Sequence, residues 1–540
     1  MLLFPSASLA AVQVSGAEAT EAANRDAKVL DQKRKNGELS DSVKMDDDGE
    51  KWEVSYFADA EQVALVMVDP ESGEVTESWT GEQVSWRMAR GYSGAFGKKL
   101  NAPYVFVPLC LIFLIGLVDW RRIWRVANLD LLVLLGFGVS HIFFNRGEIG
   151  VSVPLYYPVL LYLLGRALWI GFRGRGEGLR PVWPTVYLLV AALFLMGVRT
   201  GLNMADAGVA DIGYASVVGA DRTTHGEPIY GNFPDDVSQG DTYGPVTYYA
   251  YVPFELVFPW GGSWDDLPAA HAASFSFDLL VFGLLIWLGI RIRPGPAGRR
   301  LGAILGFGWA AYPYTAYALE SNTNDPLVAL LLLAILLALS RPVARGALAA
   351  AATFAKLAPA VLAPMLLTYK ATEADQVATD EGVRERTPRP QDPLIGRSGL
   401  LFLGGFALAS ALAMLWPAID PGLEVFYERT VEFQGGRNSP FSIWGQVSGI
   451  EWLHSLALAA TAALSLFLAF RPRRKSLVQV AALGAALVIA LQITMHHWFY
   501  LYIDWFYPLL LVALAAVPAK SERAGPEPAP ARRSPPVPAG

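Results

Sequence analysis

Asp206 to Tyr251 reads DAGVADIGYASVVGADRTTHGEPIYGNFPDDVSQGDTYGPVTYYAY and is the longest polar interruption in a chain otherwise built of apolar runs. It sets Asp206, Asp211, Asp221, Glu227, Asp235, Asp236 and Asp241 against one arginine, Arg222, and one histidine, His225. On both sides the sequence returns to runs of about 18 or more apolar residues, enough for a helix to cross roughly 30 Å of hydrocarbon. Of the 540 residues, 53% are hydrophobic and only 17% charged, with a mean hydropathy of +0.34. A soluble domain is nearer a quarter charged. Backbone polar groups in lipid must be satisfied within their own segment, so the runs predict helices. They are continuous rather than alternating, which argues against a β-barrel. The expected fold is an all-α polytopic membrane protein that holds the acidic stretch at one membrane face.

Spans are expected near 103–119, 129–145, 153–171, 182–200, 268–290, 301–318, 325–340, 343–356, 358–369, 398–417, 452–470, 477–495 and 500–517, thirteen in all. The pair around Lys356-Leu357-Ala358-Pro359 consists of short halves, and Pro359 breaks or kinks any continuous helix there. One set of connections carries most of the cations, among them Arg121, Arg122, Arg125, Arg173, Arg180 and Arg300. The alternate connections carry only Arg146, Arg222, Arg429 and Arg437. The basic set is expected on the cytoplasmic side. That puts the N-terminal region and the loop 203–267 outside, and the Pro-rich tail 518–540 inside. The tail and residues 371–397 read as disordered linkers.

Residues 1–20 have the look of a secretory signal remnant without its basic start. Residues 21–100 are soluble in character. Glu21–Lys35 reads as a charged helix, and Trp52–Phe57, Val63–Asp69 and Glu74–Trp79 as strands, with a turn at Pro70-Glu71-Ser72-Gly73. This order, with WEVSYF and VMVDPESGEV, resembles the PepSY-type domain. A small α+β cap without chemistry of its own fits the same residues. Three spans over 103–172 and a core over 182–517 follow. The net charge of −6, with no basic stripe, argues against a nucleic-acid partner. The single cysteine, Cys110, lies in an apolar run and cannot form an intrachain disulfide.

Within the polar stretch Asp211 is the first candidate. A carboxylate at a lipid-proximal site can act as general base toward a hydroxyl. The same residue suits an N-cap for 212–220, and physical chemistry alone favours the cap. Asp206 and Asp221 share that ambiguity, and Asp235-Asp236 reads as a solvated turn. Oxygen ligands abound, so a divalent cation is a further candidate, although no defined metal loop and no zinc-type cluster is present. The aromatic run from Tyr243 to Trp260 predicts an amphipathic helix lying at the headgroup level. Arg437, among glycines, can clamp a phosphate or pair with Glu428 or Glu432. Lys356 in an apolar run should face the interior and bind an anion, or else snorkel. His496 and His497 serve either binding and proton transfer or interfacial anchoring.

Asp211-Ile212-Gly213-Tyr214 leading to Gly226-Glu227-Pro228-Ile229-Tyr230-Gly231 resembles the D-x-x-x-Y…G-x-P-x-Y pattern of GT-C type membrane glycosyltransferases of family 87, the polyprenyl-phosphate-mannose-dependent group. Tyr214 stands one place earlier than that spacing. Tyr243-Gly244-Pro245 is similar to the family's Y-P-P segment, Phe354 to Pro359 to its lysine-proline break, and Gly436 to Gly445 to its late outer loop. The resemblance implies inverting transfer of a sugar, mannose by expectation, from a polyprenyl-phosphate donor to an envelope glycan or glycolipid acceptor on the outer face. By position it implies Asp211 as the base, with Asp206, Asp221 or Asp241 sharing or replacing that role. It implies Arg437, Lys356, His496 or His497 as the cation for the donor phosphate, and Tyr214, Tyr230, Tyr243 and Trp444 as walls of a substrate groove. A transporter or flippase of lipid-linked sugars, and a non-catalytic scaffold, are the competing classes.

Overall fold

The computed structural model describes residues 14–46, 49–59, 61–90, 98–174, 176–372, 395–436 and 439–517. The expected signal segment up to Gln13, most of the 371–397 linker, the 518–540 tail and Arg437 lie outside the described residues. The chain divides into two compact units, residues 1–95 with 142–149, and 96–141 with 150–540.

The first unit is built on a four-stranded antiparallel sheet in sequential order: β1 Ser40–Met45, β2 Trp52–Ala58, β3 Glu61–Val68 and β4 Val75–Thr80. Alternation puts Val54 and Tyr56 of β2 opposite Val66 and Ala64 of β3 on one face. Ala19, Ala23 and Val29 of two helices pack onto that face. Sequence reasoning gave three strands; β1 escaped it because SDSVKM is exposed along almost its whole length and carries no buried face to read. The expected single helix over 21–35 is two helices, Gly16–Asn24 and Ala27–Asn36. Asp26 accepts from the amides of Lys28 and Val29, which ends the first helix and caps the second.

The second unit is helical. Among the described residues, six helices are long and apolar enough to cross a membrane: Val126–Asn145, Ile149–Arg173, Thr185–Ala205, Pro268–Ile292, Arg397–Ile419 and Glu451–Phe470. Shorter apolar helices accompany them: Pro103–Leu117, Asp325–Leu337, Ala358–Leu367, Leu477–Ile493 and Tyr500–Ala516. The segment expected as one span over 301–318 is two helices, Gly295–Ala311 and Pro313–Glu320, because Pro313 cannot donate to the first of them. The expected break at Pro359 is present: the Pro342–Ala355 helix stops before Lys356, and a 3₁₀ turn starts at Ala358.

Helices meet through small residues. A Cβ placed on Gly289 would lie 2.3 Å from the amide nitrogen of Gly302, so the Pro268–Ile292 and Gly295–Ala311 helices touch backbone to backbone. A Cβ on Gly346 would lie 2.1 Å from the Phe402 carbonyl oxygen. Close approach of this kind supplies dispersion where lipid offers no hydrophobic drive.

Candidate functional site

The polar stretch folds onto two other segments and brings them together. Its first half is the Asp211–His225 helix, ended by Gly226 with φ 70°. This helix lies along residues 321–324: the Ala210 amide donates to the Ser321 carbonyl at 2.9 Å, and Asn324 Nδ2 donates to Ser216 Oγ at 3.0 Å. Its second half, the Pro245–Glu255 helix, was expected at the lipid surface. Instead Tyr248 and Tyr251 are fully buried, packed within the protein core, while Pro253 and the residues just past the helix, Leu256 to Phe258, are exposed.

The turn between the halves seats on the helix break. Gly244 is in such close contact that a Cβ there would fall 2.0 Å from the Phe354 carbonyl oxygen. Thr247 Oγ1 donates to the Ala355 carbonyl at 2.7 Å, satisfying an acceptor left over at that helix end. Lys356, extended at φ −139° and ψ 142°, therefore turns inward. Its Nζ donates to Asp325 Oδ1 at 2.6 Å, and Trp505 Nε1 donates to the same oxygen at 2.7 Å. The rings of Tyr243, Tyr502 and Trp505 stand 5.3, 5.7 and 5.0 Å from Nζ. Lys356 and Asp325 are both buried, so snorkelling is excluded. An ion pair out of water holds only with good geometry and further polar or π contacts, and both are present here.

His497 reaches the same cluster, with its ring 6.3 Å from that of Tyr502 and Nδ1 2.9 Å from Ser439 Oγ. It is buried, so headgroup anchoring does not describe it. Asp241, two residues before Tyr243, is also fully buried. Both its oxygens take Arg429, at 2.5 and 2.7 Å, and Oδ2 also accepts the Gly231 amide at 2.7 Å. Those hydrogen bonds hold the Arg429 guanidinium even more firmly protonated than usual. Asp241 thus ties the polar stretch to the 428–432 turn. Arg429→Gln is expected to cost about 1.5–3 kcal/mol, the worth of charge-assisted bonds to a buried carboxylate. Thermal unfolding of the full chain, with proteolysis of the Gly231–Tyr243 segment, checks this.

The remaining candidates have other partners. Asp211 is exposed at the first position of its helix, with Ala210 in the N-cap place expected for Asp211, and Oδ1 accepts the Ile212 amide at 2.9 Å. Asp206 ends the Thr185–Asp206 helix. Asp221 faces His225, whose imidazole is raised above its usual 6.5 by a hydrogen bond to the Asp221 carbonyl and by the carboxylate. Tyr214 is buried, stacked on Trp264 at 4.9 Å, and donates to Asp236 at 3.2 Å. Beside that stack lies a cavity of about 320 Å³ lined by Phe258, Trp260, Asp265 and Asp266. Tyr230 is buried and donates to the Tyr243 carbonyl at 3.0 Å, so it supports the turn from behind. Trp444 donates to the Ile493 carbonyl at 2.8 Å and forms a separate aromatic group with His454 and His496.

Asp325, Tyr502, Trp505 and Arg429 were not singled out from the sequence. A carboxylate heading an apolar helix was the available signal for Asp325. Lys356 is also not the sole buried charge. Arg166 pairs with Asp130 at 2.9 Å, and Arg199 with Asp278 at 2.9 Å. Asp504 is fully buried, with no hydrogen-bond partner for either oxygen among the described residues. Also among the described residues, no three His, Cys, Asp or Glu side chains are grouped to hold a metal ion. Searched against known proteins, the chain matches no family model and no curated relative.

Proposed function

We propose that the chain is a multi-pass cell-membrane glycosyltransferase that moves a sugar from a polyprenyl-phosphate donor to a glycan or glycolipid acceptor. The observation that carries this is the seat of Tyr243-Gly244-Pro245 against Lys356: one buried cation under aromatic rings, joined to the acidic stretch. Two motifs that the family resemblance singles out, far apart in sequence, share that seat. In this reading the five shorter apolar helices, the broken pair Gly295–Ala311 and Pro313–Glu320 counted as one span, and the Pro342–Ala355 helix complete the set of thirteen spans. The distribution of Lys and Arg sets the polar stretch and the N-terminal domain outside and the C-terminus inside.

The chemistry asked of the site is modest. Asp211 takes the proton of the acceptor hydroxyl, the oxygen attacks the anomeric carbon, and the bond to phosphate breaks with inversion. The leaving phosphate is already a stable anion. It needs a cation rather than a proton, and Lys356, with His497 nearby, supplies it. Asp241 acts on positioning through Arg429. A divalent cation can assist the phosphate.

Asp211→Asn in membranes supplied with labelled polyprenyl-phosphate mannose is expected to lower transfer about 10²–10⁴-fold, the usual worth of a general base. The fold should be unchanged, since the side chain is exposed. Unaltered transfer would remove Asp211 as the base.

A second reading, transport of a lipid-linked sugar, draws support from Asp504 and the buried Arg199–Asp278 pair, since ionisable groups inside apolar segments mark transport paths. Asp504→Asn separates the two. It abolishes flipping in proteoliposomes under the transport reading and leaves sugar transfer intact under the first.

A further inference from the structure

A cavity of about 980 Å³ in the helical unit shares no lining residue with the cluster around Lys356. Among the described residues, seven arginines line it against two acids, Asp119 and Glu177, and no lysine does. Some of its arginines are spent on the walls. Arg125 bonds Asp119 at 2.9 Å, Glu177 at 3.3 Å and the Gly178 carbonyl at 2.9 Å. Arg166 bonds Asp130, and Arg300 donates to the carbonyls of Pro181 and Trp183. Arg121, Arg122 and Arg173 are exposed, and none of their guanidiniums pairs with a carboxylate among the described residues; the Arg173 guanidinium lies 4.7 Å over the Trp169 ring. So many guanidiniums around one space repel each other unless an anion enters. The planar fork of Arg matches phosphate oxygens in pairs.

Where this cavity opens indicates what brings the anion. Its residues come from the ends of apolar helices: beyond Leu117, before Val126, at Arg173 and before Thr185. Trp120, Trp124, Trp169 and Trp183 around it are 50%, 94%, 54% and 40% exposed. Tryptophans exposed at helix ends mark the headgroup level of a bilayer. We propose that this cavity binds the phosphate of an anionic phospholipid headgroup from the leaflet at that end of the helices. The site is independent of sugar transfer. It requires only that these helices span a bilayer, and basic pockets between spans are the recurrent form of such sites.

The test uses the full chain released from detergent in native mass spectrometry, with phosphatidylglycerol, phosphatidylcholine or inorganic pyrophosphate added. Phosphatidylglycerol adducts are expected on the wild type, and about 100-fold weaker binding in Arg121→Gln/Arg122→Gln/Arg173→Gln. These side chains are exposed, and an unchanged thermal midpoint shows that the variant is folded. A second triple variant, Arg471→Gln/Arg473→Gln/Arg474→Gln, removes the same charge elsewhere and should bind as the wild type does. Equal retention of both lipids, or equal loss in the two triple variants, would overturn the proposal. Binding of pyrophosphate without phosphatidylglycerol would overturn the lipid source and leave a soluble phosphate as the ligand.

Discussion

Lys356→Met is expected to lower sugar transfer about 10²–10³-fold, the loss that follows removal of one stabilising group for a developing anion. The same change also destabilises the chain. It leaves Asp325 buried with Trp505 Nε1 as its remaining side-chain donor among the described residues, and stranding one member of a buried pair costs about 3–5 kcal/mol. The two effects can be separated. In Lys356→Met/Asp325→Leu no charge is left uncompensated, and replacing such a pair by apolar side chains is often neutral. Trp505 Nε1 then loses its acceptor, which costs about 1 kcal/mol. The double variant should therefore regain most of the thermal stability and none of the transfer. Recovery of transfer together with stability would show that the pair only holds the fold.

Arg199→Met is expected to be as destabilising, again about 3–5 kcal/mol, but for a reason unconnected with transfer. Arg199 comes from the Thr185–Asp206 helix and spans the break before Pro313. Its guanidinium bonds Asp278 at 2.9 Å, Thr315 Oγ1 at 3.2 Å, the Trp309 carbonyl at 3.3 Å and the Thr315 carbonyl. Those carbonyls lie where the helix ladder is interrupted; losing the arginine leaves the buried Asp278 carboxylate without its cation and with Trp309 Nε1 as a remaining donor, while the Trp309 carbonyl keeps Thr315 Oγ1. Arg199→Lys should recover little, because an ammonium cannot serve four acceptors spread around a planar fork. Thermal unfolding of both variants in detergent gives the measurement. A loss below about 1 kcal/mol would mean that water satisfies these groups after the substitution.

The apolar runs and the interruption at Pro359 are legible in the sequence because length and proline chemistry are local properties. Partnerships are not local. Lys356 meets Asp325 across 31 positions and Arg429 meets Asp241 across 188, and no periodicity encodes which faces will touch. Strand β1 is illegible for a different reason: an exposed edge strand has no apolar alternation to detect. The aromatic run after Tyr243 was read as a lipid-facing surface because tyrosines suit headgroups. In the fold, Tyr248 donates to the Gly240 carbonyl at 2.8 Å, so burial does not orphan its hydroxyl. Asp211 could be placed near a helix start but not on one side of its boundary, since a carboxylate is welcome both as a cap and in the first turn.

The contact between Gly244 and the Phe354 carbonyl leaves no room for even a methyl group. Loop and helix stub are therefore geared together. Neither can slide without turning the other, and a displacement of the acidic stretch swings the backbone that carries the lysine. Whatever settles on one arm of this joint is felt at the other without any intervening side chain.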